Sequence, residues 1–141
     1  MAAARAQHVA EVIEPVLASG RDVVTDRFVG SSLAYQGSGR GLGVEAVAAL
    51  SRFAAAPDPD VVVLLDVDDV VAAARASGRA LDRIEGEDPE FHRRVVDGFR
   101  SLAAAANGYG RWVVVDGDGE VDEVEWRVAR AVAGVLGDGP A

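Results

Sequence analysis

An α/β fold with a parallel sheet and flanking helices follows from three features of this sequence. Three short apolar runs rich in β-branched residues, Val23-Val24-Thr25, residues 61–65 and residues 112–115, each end on an aspartate: Asp26, Asp66 and Asp116. Between them lie segments whose apolar residues recur every three to four positions, the spacing of one helix face. The runs at 61–65 and 112–115 have no polar alternation, which fits strands buried on both faces of a parallel sheet. Strands alternating with helices in this way call for parallel strands joined by helical crossovers.

Each element has its own signal. Val9, Val12, Ile13, Val16 and Leu17 form the stripe of a helix over residues 2–17. Pro15 is expected to kink or end its last turn, and Ser19-Gly20 to stop it. The first strand closes on Asp26. Residues 30–43 are rich in glycine and serine, with Gly37, Gly39, Gly41 and Gly43, and read as a loop. A helix over 44–56 ends at Pro57-Asp58-Pro59, and the second strand follows at 61–65. Asp68 is a suitable N-cap for a helix over 70–76. Residues 77–85 break the pattern and carry arginines. A long helix over 89–106 places Phe91, Val95, Phe99 and Leu102 on one stripe, and Asn107-Gly108 ends it. The third strand, a turn at 117–119, a helix over 121–136 and a frayed tail complete the chain. Three strands are few for so much helix, and the chain opens on a helix. Part of the fold is therefore expected to lie before Met1.

Composition narrows the chemistry. A length of 141 residues fits a single domain, and a chain half hydrophobic and 26% charged is globular rather than disordered. There is no cysteine, which excludes disulfides, cysteine-ligated zinc and thiol catalysis. All 14 basic residues are arginine. The chain therefore holds no Schiff-base lysine and no complete GxxxxGK[ST] phosphate loop. A net charge of −9 disfavours binding to a nucleic-acid backbone. No apolar run approaches the roughly 20 residues of a membrane span, and the N-terminus lacks the layout of a secretion signal. A cytoplasmic protein without membrane or nucleic-acid partners is expected.

The most informative segment is DRFVGSSLAYQG, residues 26–37. In open α/β sheets ligands lie beyond the carboxyl ends of the strands, where Asp26 and Arg27 stand. An arginine there is suited to fork onto a phosphate. Ser31, Ser32 and Gln36 offer hydrogen bonds to a base or sugar, and Tyr35 offers a flat face. The same residues also read as an Asp26–Arg27 surface pair, a polar turn and a buried tyrosine. Asp66 and Asp116 serve equally as strand-end ligands or as helix caps, and Asp66-Val67-Asp68-Asp69 fits capping as well as magnesium. His8 and His92 have no ligand partner one helical turn away and read as helix-surface residues. Trp112 and Trp126 read as core or interface residues. Ser31 and Ser32 lack the G-x-S-x-G setting of a nucleophile.

The run DRFVGSSLAYQGSGRGL resembles the DR[YFH]-x-x-S-x-x-A-Y-Q-G-x-G-R-G signature of bacterial thymidylate kinases. Upstream, Ala4-Arg5-Ala6-Gln7-His8-Val9 and Val12-Ile13-Glu14-Pro15 resemble the family's helix of the form F-x-A-x-R-x-x-H-V…V-I-x-P-A-L. Downstream, VVVLLDVD resembles the strand before the lid. Residues 75–85, ending Leu81-Asp82-Arg83-Ile84-Glu85, resemble the arginine-bearing lid, and RWVVVD resembles the last strand. Several motifs in the family's order cover nearly the whole chain.

The resemblance implies a P-loop-kinase-like parallel sheet and phosphoryl transfer from ATP to dTMP, giving ADP and dTDP, with Mg2+. Arg5 matches the arginine that reads a thymine carbonyl oxygen, and Asp26 and Arg27 open the signature, Arg27 at the position that holds the dTMP phosphate. Ser31 and Ser32 match the polar pair near the base, Tyr35 the residue against the deoxyribose, and Gln36 a polar member of the same signature. Arg79 and Arg83 fall in the lid, about residues 75–87, where arginines face the transferring phosphoryl group. The spacing RASGRALDR departs from the commoner R-x-R-G-x-L-D-R, so either arginine fits that role. Residues 116–121 match the adenine-holding segment, largely through backbone. The family's phosphate-loop strand with its lysine, and its second strand, precede the part matched here. The chain is therefore expected to be one partial, N-terminally truncated domain, residues 1–141, inactive alone. The alternative is a non-catalytic nucleotide-binding or interaction module derived from the family. A homodimer through the helices at 2–17 and 44–56 is the implied assembly.

Overall fold

The computed structural model describes residues 2–54, 57–68, 71–72, 87–105 and 109–137. It forms two compact units, residues 1–58 with 89–102 and residues 59–88 with 103–141.

The first unit is helical. Helix α1 (Ala2–His8) runs into a π-helical stretch, Val9–Ile13, and on into α2 (Glu14–Ala18). Pro15 lacks an N–H, and its ring crowds the carbonyl four residues back. The helix responds upstream by widening: the Glu14 N–H donates to the Val9 carbonyl, five residues earlier. The expected continuous helix is thus interrupted before Pro15 rather than at it. Val9 and Ile13 remain buried.

Two expectations are corrected in this unit. Val23-Val24-Thr25 is not a strand; it belongs to no ladder, and Val24 is 96% exposed. β-branched residues favour extended backbone, but a strand also needs a neighbour for its N–H and C=O groups. Residues 30–43 are not simply a loop. Helix α3 (Val29–Ser32) continues into a π-helical segment, Leu33–Gly39. Val29, Leu33 and Ala34 are buried, so this segment is part of the core.

The glycines explain both the misreading and the packing. A Cβ on Gly39 would lie 2.7 Å from Val95 Cγ2 and 2.8 Å from Phe91 Cε2, so the missing side chain is what lets this turn lie against the helix carrying those residues. Only Gly41 (φ +69°) and Gly43 (φ +86°) serve as turn glycines here. Helix α4 (Val44–Phe53) starts at Gly43 and buries Val47, Ala48 and Ser51, whose hydroxyl donates to the Val47 carbonyl at 2.9 Å. Helix α5 (Pro89–Ala104) closes the core with Phe91, Val95, Gly98 and Leu102. Burying Phe91 alone contributes about 2–3 kcal/mol.

The second unit holds the parallel sheet. Strands β1 (Val61–Asp66) and β2 (Arg111–Asp116) pair in register, Val61 opposite Arg111 and Asp66 opposite Asp116. Helix α6 (Val121–Leu136) packs on both strands, and a reciprocal cap between Glu120 and Glu123 fixes its start. The strands are less buried than their sequence suggests: Leu65 is 47% and Val114 54% exposed. Within this unit the described residues supply helix cover from α6 and no third strand. The Ala72 N–H donates to the Asp68 carbonyl, the first turn of a helix as expected. Most of that helix, and all of residues 73–86, lie outside the described residues. Trp126 is exposed, with Arg130 stacked 5.1 Å from its ring centroid. No helix among the described residues is long and apolar enough to cross a membrane.

Candidate functional site

The polar residues of the 26–37 segment and Arg5 lie in the first unit. Arg5 projects from α1, and its Nη2 donates to Ser32 Oγ at 2.5 Å and to the Phe28 carbonyl at 3.4 Å. The guanidinium carbon lies 5.4 Å from the Phe28 ring centroid. Residues 27 positions apart are thus held together by a charged hydrogen bond, because α3 carries Ser32 up to the first helix. Burial pushes the Arg5 guanidinium below its ordinary pKa, since the charged form loses hydration. An arginine so shifted still carries its charge at neutral pH. Its folded state binds the proton less tightly, so its effect on stability varies with pH only in the strongly alkaline range, where stability rises with pH.

Arg27 follows the extended segment with φ +66°, the only non-glycine residue in the left-handed region among the described residues. For an arginine this costs about 1–2 kcal/mol and places the side chain where ordinary extended backbone would not. Its guanidinium carbon stands 5.3 Å from the Tyr35 ring centroid. Asp26 is exposed and forms no ion pair with Arg27, so the simple surface-pair reading is not realised.

Tyr35 is half-buried among aromatic residues of α5. Its ring centroid is 5.9 Å from that of Phe99 in an edge-on arrangement and 6.3 Å from that of Phe91. Gln36 carries a buried side-chain oxygen, Oε1, with no hydrogen-bond partner. A buried acceptor left unpaired costs about 1–3 kcal/mol, which a ligand N–H can recover. Ser31 is half-buried on the same short helix. The structure therefore joins Arg5 to Ser32 and Arg27 to Tyr35. Arg79 and Arg83 lie outside the described residues.

Sequence reasoning missed Phe28, whose ring supports Arg5, although it directly follows Arg27. It assigned Phe91 and Phe99 to the core stripe without their contacts to Tyr35; their spacing along α5 was the available signal.

In the second unit the loops after β1 and β2 are tied together. The Gly117 N–H donates to the Asp66 carbonyl at 2.8 Å, and the Asp68 N–H to the Asp118 carboxylate at 3.3 and 3.4 Å. Arg127 of α6 donates to the Asp116 and Asp118 carbonyls and pairs with the Asp116 carboxylate at 3.6 Å. These aspartates thus have structural partners. Among the described residues no three His, Asp or Glu side chains converge to hold a metal ion, so no ligands for magnesium are assigned from them.

A parallel strand pair with flanking helices defines an α/β protein, and the polar side chains of Arg5 and residues 26–37 mark its candidate site. A thymidylate kinase family model matches residues 1–128. The thymidylate kinase of Solidesulfovibrio magneticus is 46% identical over 94% of this chain, and that of Pelotomaculum thermopropionicum 48% identical over 96%. A crystal structure of thymidylate kinase from Ehrlichia chaffeensis superposes with a TM-score of 0.71 at 28% identity, covering 93% of this chain and 62% of that one. The chain belongs to the thymidylate kinase family. It spans 65% and 63% of the lengths of the two relatives.

Proposed function

We propose that this chain carries the dTMP side of thymidylate kinase chemistry, in which an oxygen of the dTMP phosphate attacks the γ-phosphorus of ATP. The bond from that phosphorus to the β-phosphate oxygen breaks, giving dTDP and ADP. The observation that supports this most is the Arg5–Ser32 hydrogen bond, together with the unpaired Gln36 oxygen one helical turn along the same segment as Ser32. Arg5 keeps further N–H donors for a pyrimidine carbonyl, and Gln36 Oε1 is the acceptor a thymine N–H needs. Ser31 and Ser32 line the base and Tyr35 the deoxyribose. Arg27, at the end of the extended segment beside Asp26, forks onto the phosphate and holds the attacking oxygen in place. Arg79 and Arg83 supply charge to the transferring phosphoryl group, a reaction that depends on positioning and electrostatics.

Magnesium belongs to this reading as the partner of ATP, where it neutralises phosphate charge. The 141 residues contain no lysine and no GxxxxGK[ST], so the cradle for the ATP phosphates is not drawn from them. We therefore expect the 141-residue chain alone to bind dTMP without transferring phosphate, and to act in the cytoplasm. Exposed apolar residues on two helices, Val12 and Leu17 of the first and Leu50 and Phe53 of α4, support a homodimer through these helices.

Thermal unfolding with and without dTMP, together with an assay for ADP release, tests the proposal. A melting point raised by dTMP with no ADP release agrees with it. An unchanged melting point at millimolar dTMP refutes the binding claim, and ADP release by the chain alone refutes the claim of no turnover.

A further inference from the structure

We propose that Phe99 of α5 is a positioning residue that sets the Arg27 guanidinium through the ring of Tyr35. The inference rests on the reading of Arg27 as the phosphate-holding arginine. Three contacts form a relay: Phe99 meets Tyr35 edge-on at 5.9 Å, Phe91 meets the same ring at 6.3 Å, and Arg27 lies 5.3 Å from its centroid. Among the described residues the Arg27 guanidinium makes no hydrogen bond or ion pair, and the Tyr35 ring is its ring contact. Its N–H groups are not committed to a carboxylate. A cation above an aromatic face is held by the ring's quadrupole, so its position follows the ring's tilt. Tyr35 in turn has its tilt fixed by the two phenylalanines.

The backbone is arranged to allow this approach. A Cβ on Gly98 would stand 2.6 Å from Ser38 Oγ and 2.7 Å from Ser38 Cβ, so α5 meets the 33–39 turn only because residue 98 has no side chain. Arg94, one turn before Gly98, donates from Nε to the Gly39 carbonyl at 3.1 Å and pairs with Glu90 at 3.4 Å. The turn is thereby tied to α5 beyond Tyr35 as well as beneath it. Arg27 reaches the ring from a left-handed backbone position, φ +66°, which directs its side chain in a way extended backbone does not. Helix α5 contributes no polar group to the ligand in this scheme. It acts through ring geometry alone, which makes its effect specific to the phosphate.

The test is calorimetric titration of the 141-residue chain and its Phe99→Leu and Phe99→Tyr variants with dTMP and with thymidine. Phe99→Leu is expected to weaken dTMP binding about tenfold while thymidine affinity stays within about twofold. Phe99→Tyr keeps an aromatic edge and restores the dTMP-to-thymidine ratio. Equal losses for both ligands, or an unchanged ratio, would overturn the inference and leave Phe99 a packing residue. Should Phe99→Leu fail to fold, Phe99→Met, closer in volume, decides the same comparison. A wild-type chain that does not distinguish dTMP from thymidine overturns the reading of Arg27 itself, before Phe99 is considered.

Discussion

Arg5 and Arg27 use the same chemical group in two different ways. Arg5 is half-buried, hydrogen-bonded to Ser32 and supported by Phe28, so it is ordered before any ligand arrives. Its replacement by alanine removes charged hydrogen bonds and should weaken dTMP about ten- to hundredfold, read by calorimetry. Ser32→Ala leaves the charge in place and should cost less, about three- to tenfold. A larger loss for Ser32→Ala than for Arg5→Ala would mean that the hydroxyl, rather than the guanidinium, carries recognition. Arg27 is exposed and held at φ +66°. Arg27→Gly removes that strain along with the proposed phosphate contact. The variant should bind dTMP at least tenfold more weakly, yet unfold no more easily than wild type or gain up to about 1 kcal/mol. A melting point several degrees lower would show that Arg27 is chiefly structural.

Among the elements, glycine decides where helices and strands can meet. Gly110 has φ +80°, and a Cβ there would fall 2.3 Å from the Pro59 carbonyl oxygen. That contact is to backbone, which cannot swing away, so Gly110→Ala should destabilise the start of β2 by about 3 kcal/mol or more in denaturant unfolding. Gly39→Ala meets only side chains, Val95 and Phe91, and should cost about 1–3 kcal/mol. Equal effects would show that the two glycines serve the same purpose. The distinction also marks how far the fold was legible. The 3.6-residue stripes of α4, α5 and α6 and the apolar runs of β1 and β2 declared themselves, because each repeats a side-chain pattern along its length. Residues 30–43 misled because a glycine required for close packing looks the same in sequence as one required for a turn. Val23-Val24-Thr25 misled because local preference for extended backbone does not provide a partner strand. The polar members of the candidate site were nominated by the 26–37 run. The contacts that orient them were not, because Phe28, Phe91 and Phe99 act by tertiary placement.

For the whole molecule, the proposed reading divides labour between dTMP recognition and phosphoryl transfer. Arg5, Asp26, Arg27, Ser31, Ser32, Tyr35 and Gln36 all belong to the first unit, whereas Arg79 and Arg83 fall in the sequence of the second. Self-association is proposed on the first unit's exposed apolar residues, of which Phe53 is 88% exposed. Phe53→Asp with Leu50→Asp should convert a dimer to a monomer in sedimentation without changing dTMP affinity; a wild-type chain that sediments as a monomer refutes the assembly. The measurement that bears most directly on the account is titration of the 141-residue chain with dTMP and, as a control, with dAMP. Saturable dTMP binding is expected, weakened in Arg5→Ala and again in Arg27→Ala, with no comparable binding of dAMP. A folded chain that ignores dTMP, or binds both nucleotides alike, contradicts it.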